Sequence, residues 1–514
     1  MSLTESIRQR TVEDLLPAPQ SVEACSSDFP LDASTVIAFS SGQAEFAAQR
    51  LVEMIRAEHN LALKVRRIGA PGLAVWLTDG EGSPPSAIGL PSEAYRLDAD
   101  SRSVRIGAGD EAGLLWGAMT LRQLIVRRDG QLRVCGARIE DQPRYRWRGF
   151  MIDSGRAPNS LPKLQRIIRI CSALKLNFVI FREGDDELNA VRYQTNRLGS
   201  ANPCALTIEQ VREFVRYARR HGITVIPEIE SLGHSQAKRR HYPDLVTSGR
   251  PQHYEGIGEH IRKAHLLPED PRSYDLLESV YREWLGVLDH GMLHLGLDEV
   301  PLPADQQARH FRGLLERIET VEQNLGRRIT PLVWADAPPT PPGLADRVIR
   351  CLWSYPEHAE FGPISQTNEH LRRQGIESLT RLGSTETAWM GGGSGSSHQP
   401  YSKCPYDQAF DNLRQWADFA RPYPNLTGLC AVQWGGNMLD EWLPDFAAAA
   451  DVSWNPNRQR ESFDERMARI RRMFAALPDA ADPHPETIDP PAWDGIWLKH
   501  GRWHQDIMSQ ATSG

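Results

Sequence analysis

The chain has 514 residues, 40% of them apolar and 24% charged, and its 59 basic and 66 acidic side chains leave a net charge of −7. That length exceeds one ordinary hydrophobic core and predicts two or three domains. The mild acidity argues against nucleic acid or an anionic membrane as a partner, and no apolar run reaches membrane-spanning length.

Seven cysteines, at 25, 135, 171, 204, 351, 404 and 430, are scattered and contain no Cys-x-x-Cys pair. An odd, unpatterned set disfavours a disulfide framework or a zinc site and predicts a reducing, cytoplasmic compartment. Met1 to Gln20 is polar and mixed in charge, which is not how a secretory signal reads.

Residues 1–142 read as a small α+β domain. Ser34 to Phe39, Leu73 to Leu77 and Ser103 to Gly107 have strand character. Ala44 to Glu58 and Glu111 to Arg127 have helical periodicity, the second with Leu114, Leu115, Ala118, Met119, Leu121 and Leu124 on its apolar side.

From Arg146 onward strands and helices alternate. The strand-like runs are Trp147–Ser154, Asn177–Arg182, Thr224–Glu230, Met292–Asp298, Thr330–Ala335, Val348–Trp353, Ser378–Trp389 and Thr427–Trp434. Helical runs include Pro162–Leu174, Ile208–His221, Ser273–Leu288, Asp305–Leu325, Ile364–Gln374, Tyr406–Ala420 and Pro444–Val452. The economical fold class is α/β: a (β/α)8 TIM barrel over 143–454, because parallel strands need crossover helices and eight strands close the sheet. An open, doubly wound sheet is the other arrangement of the same alternation. Residues 455–514 are expected to form a helical tail packed on the barrel through Trp493, Trp497 and Trp503. The glycine- and serine-rich loop Gly391–Ser396 is expected at the barrel mouth.

Chemistry in such a barrel collects at the C-terminal strand ends. The stretch Met292–Val300 is central: Leu293, Leu295 and Leu297 alternate with His294, Gly296 and Asp298 and lead into the pair Asp298-Glu299. Polar groups on a buried strand are costly unless they serve a site. Other strand ends carry Arg148 and Asp153, then Glu183, Asp185 and Asp186, then Glu228 and Glu230 with His234 in the following loop. Trp334, Trp353, Trp389 and Trp434 end or nearly end the last four strands. Carboxylates for proton transfer and indoles for packing on sugar C–H faces point to a carbohydrate substrate. A metal at Asp185 and Asp186 is disfavoured, since no His or Cys joins them at ligand spacing in the sequence.

These residues resemble glycoside hydrolase family 20, the β-N-acetylhexosaminidases. His294-Leu295-Gly296-Leu297-Asp298-Glu299 resembles the family's His-x-Gly-x-Asp-Glu signature. Pro143 to Asp153, Val225 to Ser235, and Tyr95-Arg96-Leu97 through Leu121-Arg122-Gln123-Leu124 resemble three further family segments in the right order. The resemblance implies a retaining exo-enzyme that removes terminal β-GlcNAc or β-GalNAc, using the substrate's own acetamide as nucleophile, with no metal or organic cofactor. It implies Glu299 as general acid/base and Asp298 as the group that holds and polarises the acetamide. Arg148 is implied to bind sugar hydroxyls, and Trp334, Trp353 and Trp434 to wall the sugar site, with Trp389 on strand seven nearby. Asp185 and His234 are implied as a supporting relay, with the choice between Asp185 and Asp186 open.

Three positions depart from the family pattern. Phe181-Arg182-Glu183 stands where a His-x-His segment is usual. Gly436 stands where a hydroxyl-binding carboxylate is common. Thr387 to Gly391 lacks a tyrosine. Two other readings stay open: a barrel glycosidase with Glu228 or Glu230 as protein nucleophile, and a non-catalytic sugar-binding protein. Sugar preference, linkage and oligomeric state, a homodimer included, are not set by the sequence.

Overall fold

The computed structural model describes residues 11–68, 73–78, 89–156, 158–186, 188–248, 250–251, 262–335, 337–341, 343–344, 347–353, 388–392, 406–433 and 439–457, with scattered positions from 461 to 473. Trp434, Gly436, the 364–374 helix, residues 393–396 of the glycine-rich loop and the tail tryptophans lie outside them. The chain divides into two compact units.

The first unit holds residues 1–148 together with the segments Arg169–Leu176 and Ala450–Pro483. Its strands are β1 Ser21–Ala24, β2 Phe29–Pro30, β3 Val36–Phe39, β4 Lys64–Arg67, β5 Leu73–Thr78, β6 Tyr95–Ala99, β7 Val104–Ala108, β8 Ile125–Arg128, β9 Gln131–Val134 and β10 Ala137–Asp141. Seven of them form one sheet in the order β1-β10-β6-β7-β5-β3-β4, and β2, β9 and β8 form a second. Helices α1 (Gly42–His59) and α2 (Glu111–Leu124) share one core with the strands. Leu51 and Ile55 of α1 meet Ile37, Leu97 and Ile106 there, with Leu114, Leu121 and Leu124 of α2. Asp110 caps α2 by accepting from the Gly113 amide at 2.8 Å, satisfying one of the orphan donors of the first turn.

Three distant stretches of chain meet in this unit on a buried lysine. Lys175 donates to Asp141 at 3.0 Å and to the Tyr95 hydroxyl at 2.7 Å, and its ammonium lies over the Trp454 ring. Asp141 also accepts from the Trp454 indole at 2.7 Å and from the Gln20 amide at 2.9 Å. Burial pulls the lysine toward its neutral form, and the Asp141 charge opposes that pull. Replacing Lys175 by methionine therefore leaves Asp141 buried without its counter-charge. The expected cost is about 3–5 kcal/mol, the usual penalty for breaking a buried ion pair from one side. Denaturant unfolding followed by tryptophan fluorescence measures it, and a loss below about 1 kcal/mol would show the pair to be dispensable.

The second unit contains a closed barrel of eight strands, as the alternation predicts. They are β11 Trp147–Asp153, β12 Phe178–Arg182, β15 Thr224–Glu228, β18 Met292–His294, β19 Thr330–Trp334, β20 Ile349–Trp353, β21 Ala388–Gly392 and β22 Leu426–Gln433. Two small pairs, β13 (Val191–Arg192) with β14 (Leu206–Thr207) and β16 (Arg250–Pro251) with β17 (Arg262–Lys263), lie in the connections. The crossover helices include α3 Leu161–Ala173, α4 Ile208–Arg219, α5 Gln236–Arg239, α6 Pro271–Leu285, α7 Ala304–Leu325, α8 Tyr406–Ala420 and α9 Leu439–Trp454. Thr207 and Gln210 start α4 with a reciprocal capping box, and Gly326 ends α7 in the left-handed conformation.

Strand β12 is buried along its whole length, as expected for a parallel strand covered on both faces. The barrel register matters most for function. Asp153 pairs with Arg182, Arg182 with Glu228, and Glu228 with His294. Four successive strand ends thus place two acids, an arginine and a histidine in one row.

Candidate active site

Strand β18 stops at His294, four residues short of the expected end at Asp298. The reason is local: Gly296, Leu297 and Glu299 all take positive φ, at 68°, 73° and 51°. A side chain at 296 would collide with the Glu230 carboxylate, so glycine is required there both by φ and by space. The segment stays anchored while it turns. Leu295 donates to Leu332 at 2.8 Å and accepts from Ser231 at 3.1 Å, and Gly296 accepts from Trp334 at 3.1 Å.

The turn changes what Asp298 and Glu299 do. On a strand, neighbours point to opposite faces. Here both converge on one imidazole: His234 Nε2 lies 3.5 Å from Asp298 Oδ2 and 3.5 Å from Glu299 Oε2. Asp298 is nearly buried, while the Glu299 side chain is 42% exposed.

The His234 loop is built to reach them. His234 has φ 42°, and Gly233 lies so close to the Asp298 carbonyl that a side chain there would press on it. On the other edge of the ring, His234 Nδ1 donates to Asp186 Oδ2 at 3.1 Å and lies 3.2 Å from Asp185 Oδ1. Both aspartates therefore face the same edge of the ring. Asp186 is also fixed by the Gln236 amide at 3.0 Å. Burial alone favours a neutral ring, but the Asp185 and Asp298 charges and the hydrogen bonds of Asp185 and Asp186 raise the His234 pKa well above its ordinary value. As an imidazolium it carries a proton on each nitrogen.

Behind this relay lies Arg182. It is wholly buried and donates to Asp185 at 2.8 Å through Nε and to Glu228 through Nη1, while Nη2 lies 2.6 Å from Glu230. Arg156, just past the end of β11, joins Asp153 at 3.2 Å and Asp185 at 3.1 Å. Burial raises the Asp185 pKa, yet the Arg156, Arg182 and His234 charges prevail and hold it well below the carboxylate range. Burial pushes Glu228 up to about 7, helped by the Asp298 charge and opposed by Arg182. Glu230 is raised well above its usual value by burial and by Asp298 and Glu228, against Arg182. Lys238, also buried, faces Glu183, Glu230, Asp186 and Asp185; burial pushes its pKa down and those acids oppose it.

Proximity alone would let Asp185, Asp186 and His234, or Glu228, Glu230 and Asp298, bracket a cation. Sequence spacing hid the first trio because the fold, not the chain, brings His234 to the aspartates. The charges fit a hydrogen-bond relay better than a ligand set, because guanidinium groups already sit on Asp185, Glu228 and Glu230.

Not every expected residue joins this cluster. Arg148 belongs to the first unit, at the N-terminal end of β11. It is fully buried there, pairs with Glu93 at 2.6 Å, donates to the carbonyls of Tyr145 and Lys175, and lies over the Trp116 and Trp454 rings. A sugar-binding role for Arg148 is thereby replaced by a structural one, and Arg156 is the arginine at the C-terminal end of that strand. The sequence signal was present: Arg156 follows Asp153 at the end where barrel sites lie. Trp334 is buried rather than exposed to a cleft; its indole donates to Glu228 Oε1 at 2.6 Å and its ring packs on His294, 4.6 Å between centroids. Trp353 is half-buried at the end of β20. For Trp389 only the backbone, in β21, is described.

Two family profiles match the chain: glycosyl hydrolase family 20, domain 2, over residues 13–142, and glycosyl hydrolase family 20, catalytic domain, over residues 145–330. A β-N-acetylhexosaminidase of Cellulomonas fimi is 26% identical over 467 residues, covering 82% of this chain and 84% of the relative. A β-hexosaminidase of Vibrio furnissii is 30% identical over 310 residues, covering 56% of this chain and 49% of the relative. The chain thus spans about half the length of that second relative. A solved structure of a mutant Streptomyces plicatus β-hexosaminidase in complex with product GlcNAc matches with a TM-score of 0.71 at 21% identity, over 93% of this chain and 97% of that one. At that identity the likeness is one of fold.

Proposed function

The chain belongs to glycoside hydrolase family 20, and from that membership and the site's carboxylates we propose that it is an exo-β-N-acetylhexosaminidase acting on terminal, non-reducing β-GlcNAc or β-GalNAc. The mechanism is retaining and substrate-assisted. The acetamide oxygen attacks the anomeric carbon while Glu299 gives its proton to the departing glycosidic oxygen. The cyclised sugar carries positive charge that Asp298 faces. Glu299, now a carboxylate, takes a proton from the water that reopens the ring. His234 donates toward both acids and stabilises the Glu299 anion after its proton has left.

The observation that carries this reading is the division of labour among the carboxylates. Glu299 is the open one, and Asp298 sits beside it on the same imidazole. Glu228 and Glu230, the alternative protein nucleophiles, are fully buried and bound to Arg182. A carboxylate held in that way has no path to an anomeric carbon, so the substrate must bring its own nucleophile. A reducing, cytoplasmic compartment is also proposed, supported by the buried free thiols Cys171 and Cys351.

A panel of aryl β-glycosides with and without the acetamido group tests the reading. Turnover of both acetamido sugars is expected, with kcat/KM for GlcNAc and GalNAc within roughly 10–200-fold of each other, since Gly436 supplies no charge to tell the two apart. Turnover of a plain β-glucoside near the acetamido rate would rule out substrate assistance, and no turnover of any sugar would favour a binding protein.

A further inference from the structure

Arg182 is the charge on which the buried half of the site is built. Oxygens of Glu228, Glu230 and Asp298 lie within 4.8 Å of one another. Three carboxylates that close repel, and without a cation the group takes up protons or moves apart. Arg182 reaches all three and Asp185 as well. Its Nη2 is 2.6 Å from Glu230, 2.7 Å from Asp185 and 3.9 Å from Asp298, while Nη1 holds Glu228. The planar fork of a guanidinium can serve several acids at fixed angles, which a lysine cannot do.

Among the described residues, few groups face Asp298. Arg182 approaches from β12, Glu228 and Glu230 from the β15 strand and its extension, His234 from the loop beyond, and Glu299 from the next residue. Arg182 and His234 are the two cations among them. His294, beside Arg182, is driven well toward its neutral form by burial and by the arginine, so it adds no charge. Register explains the placement: Arg182 sits between Asp153 and Glu228 in the row of strand ends, and it stands where the resembling family has a His-x-His segment.

We propose that Arg182 is a positioning residue of the reaction, a buried guanidinium that binds Asp185, Glu228 and Glu230 and thereby fixes the place and the negative charge of Asp298 beside the substrate acetamide. The inference rests on the substrate-assisted reading above. It assigns Arg182 no contact with the sugar. It acts through Asp298, and through Asp185 on the His234 relay.

Two variants test it. Arg182→Met combined with Glu230→Gln removes the cation together with one acid, so that less negative charge is stranded. Arg182→Lys keeps the charge and loses the fork. Each is checked for folding by its thermal transition, and kcat and KM on an aryl β-GlcNAc are measured across pH. In the double variant kcat is expected to fall about 10²-fold, as a misplaced catalytic group typically costs, with KM changed only a few-fold. Arg182→Lys is expected to keep KM near wild type while kcat remains reduced. A folded double variant with wild-type kcat overturns the proposal; if that variant does not fold, wild-type kcat in Arg182→Lys overturns it. Failure of the underlying reading looks different, because it shows in the wild type as comparable turnover of a β-glucoside.

Discussion

Glu299→Gln is expected to lower kcat on natural glycosides by about 10²–10⁴-fold, the range that general acid–base catalysis supplies. The amide keeps the size and most contacts of the acid but has no proton to give. The loss should shrink for nitrophenyl glycosides, whose leaving group departs as a stable anion. Exposure fits this role: Glu299 is the open carboxylate of the pair, where a leaving oxygen and later a water can reach it. Its neighbour His234 stays protonated on the strength of Asp185, Asp186 and Asp298. The imidazolium 3.5 Å away favours the Glu299 anion once the proton has moved, and so helps the acid to let go. Equal losses on nitrophenyl and natural substrates would contradict this assignment, because only the second kind needs the proton.

The barrel and the Asp298-Glu299 pair were legible because each leaves a local mark. Strands with apolar alternation followed by helical runs announce a parallel barrel, and each of the eight observed strands overlaps an expected one, the seventh only at Ala388 and Trp389. The end of β18 was not legible. Its three left-handed residues are set by the fit of Gly296 against Glu230, a residue 66 positions earlier in the sequence. That turn, rather than strand alternation, orients Asp298 and Glu299.

Buried cations were the main omission. Arg182 and Lys238 look like ordinary surface residues in the sequence, since such groups are rarely buried unless paired. Their partners come from other strands: Glu228 and Glu230 for Arg182, and Glu183 with Asp185 and Asp186 for Lys238. Only barrel register brings them together. Arg148 and Arg156 illustrate the converse. They flank one strand, and its direction separates an arginine that ties the first unit together from one at the end where the chemistry lies.

Asp298→Asn is expected to cut kcat by about 10²–10³-fold, and on activated and natural substrates alike. The substitution is nearly isosteric, so it isolates charge. As the acetamide oxygen closes on the anomeric carbon, positive charge develops on the acetamide, and the reaction needs a fixed anion there. Asp298 is suited to that task because it is nearly buried, where an electrostatic interaction is screened little by water. It is also held from two sides, by His234 at 3.5 Å and by Arg182 at 3.9 Å. An asparagine offers an oxygen to the acetamide N–H but no net charge, and its amide can turn so that a donor faces the substrate. Leaving-group ability does not bypass this step, since ring closure precedes departure or accompanies it in every substrate. The contrast with Glu299→Gln is therefore the discriminating measurement. Kinetics of both variants on one nitrophenyl and one natural β-GlcNAc glycoside should give a leaving-group-dependent loss for Glu299 and a uniform loss for Asp298. A nitrophenyl rate in Asp298→Asn within a few-fold of wild type would remove Asp298 from the charge-stabilising role and leave the acetamide to be oriented by some other group.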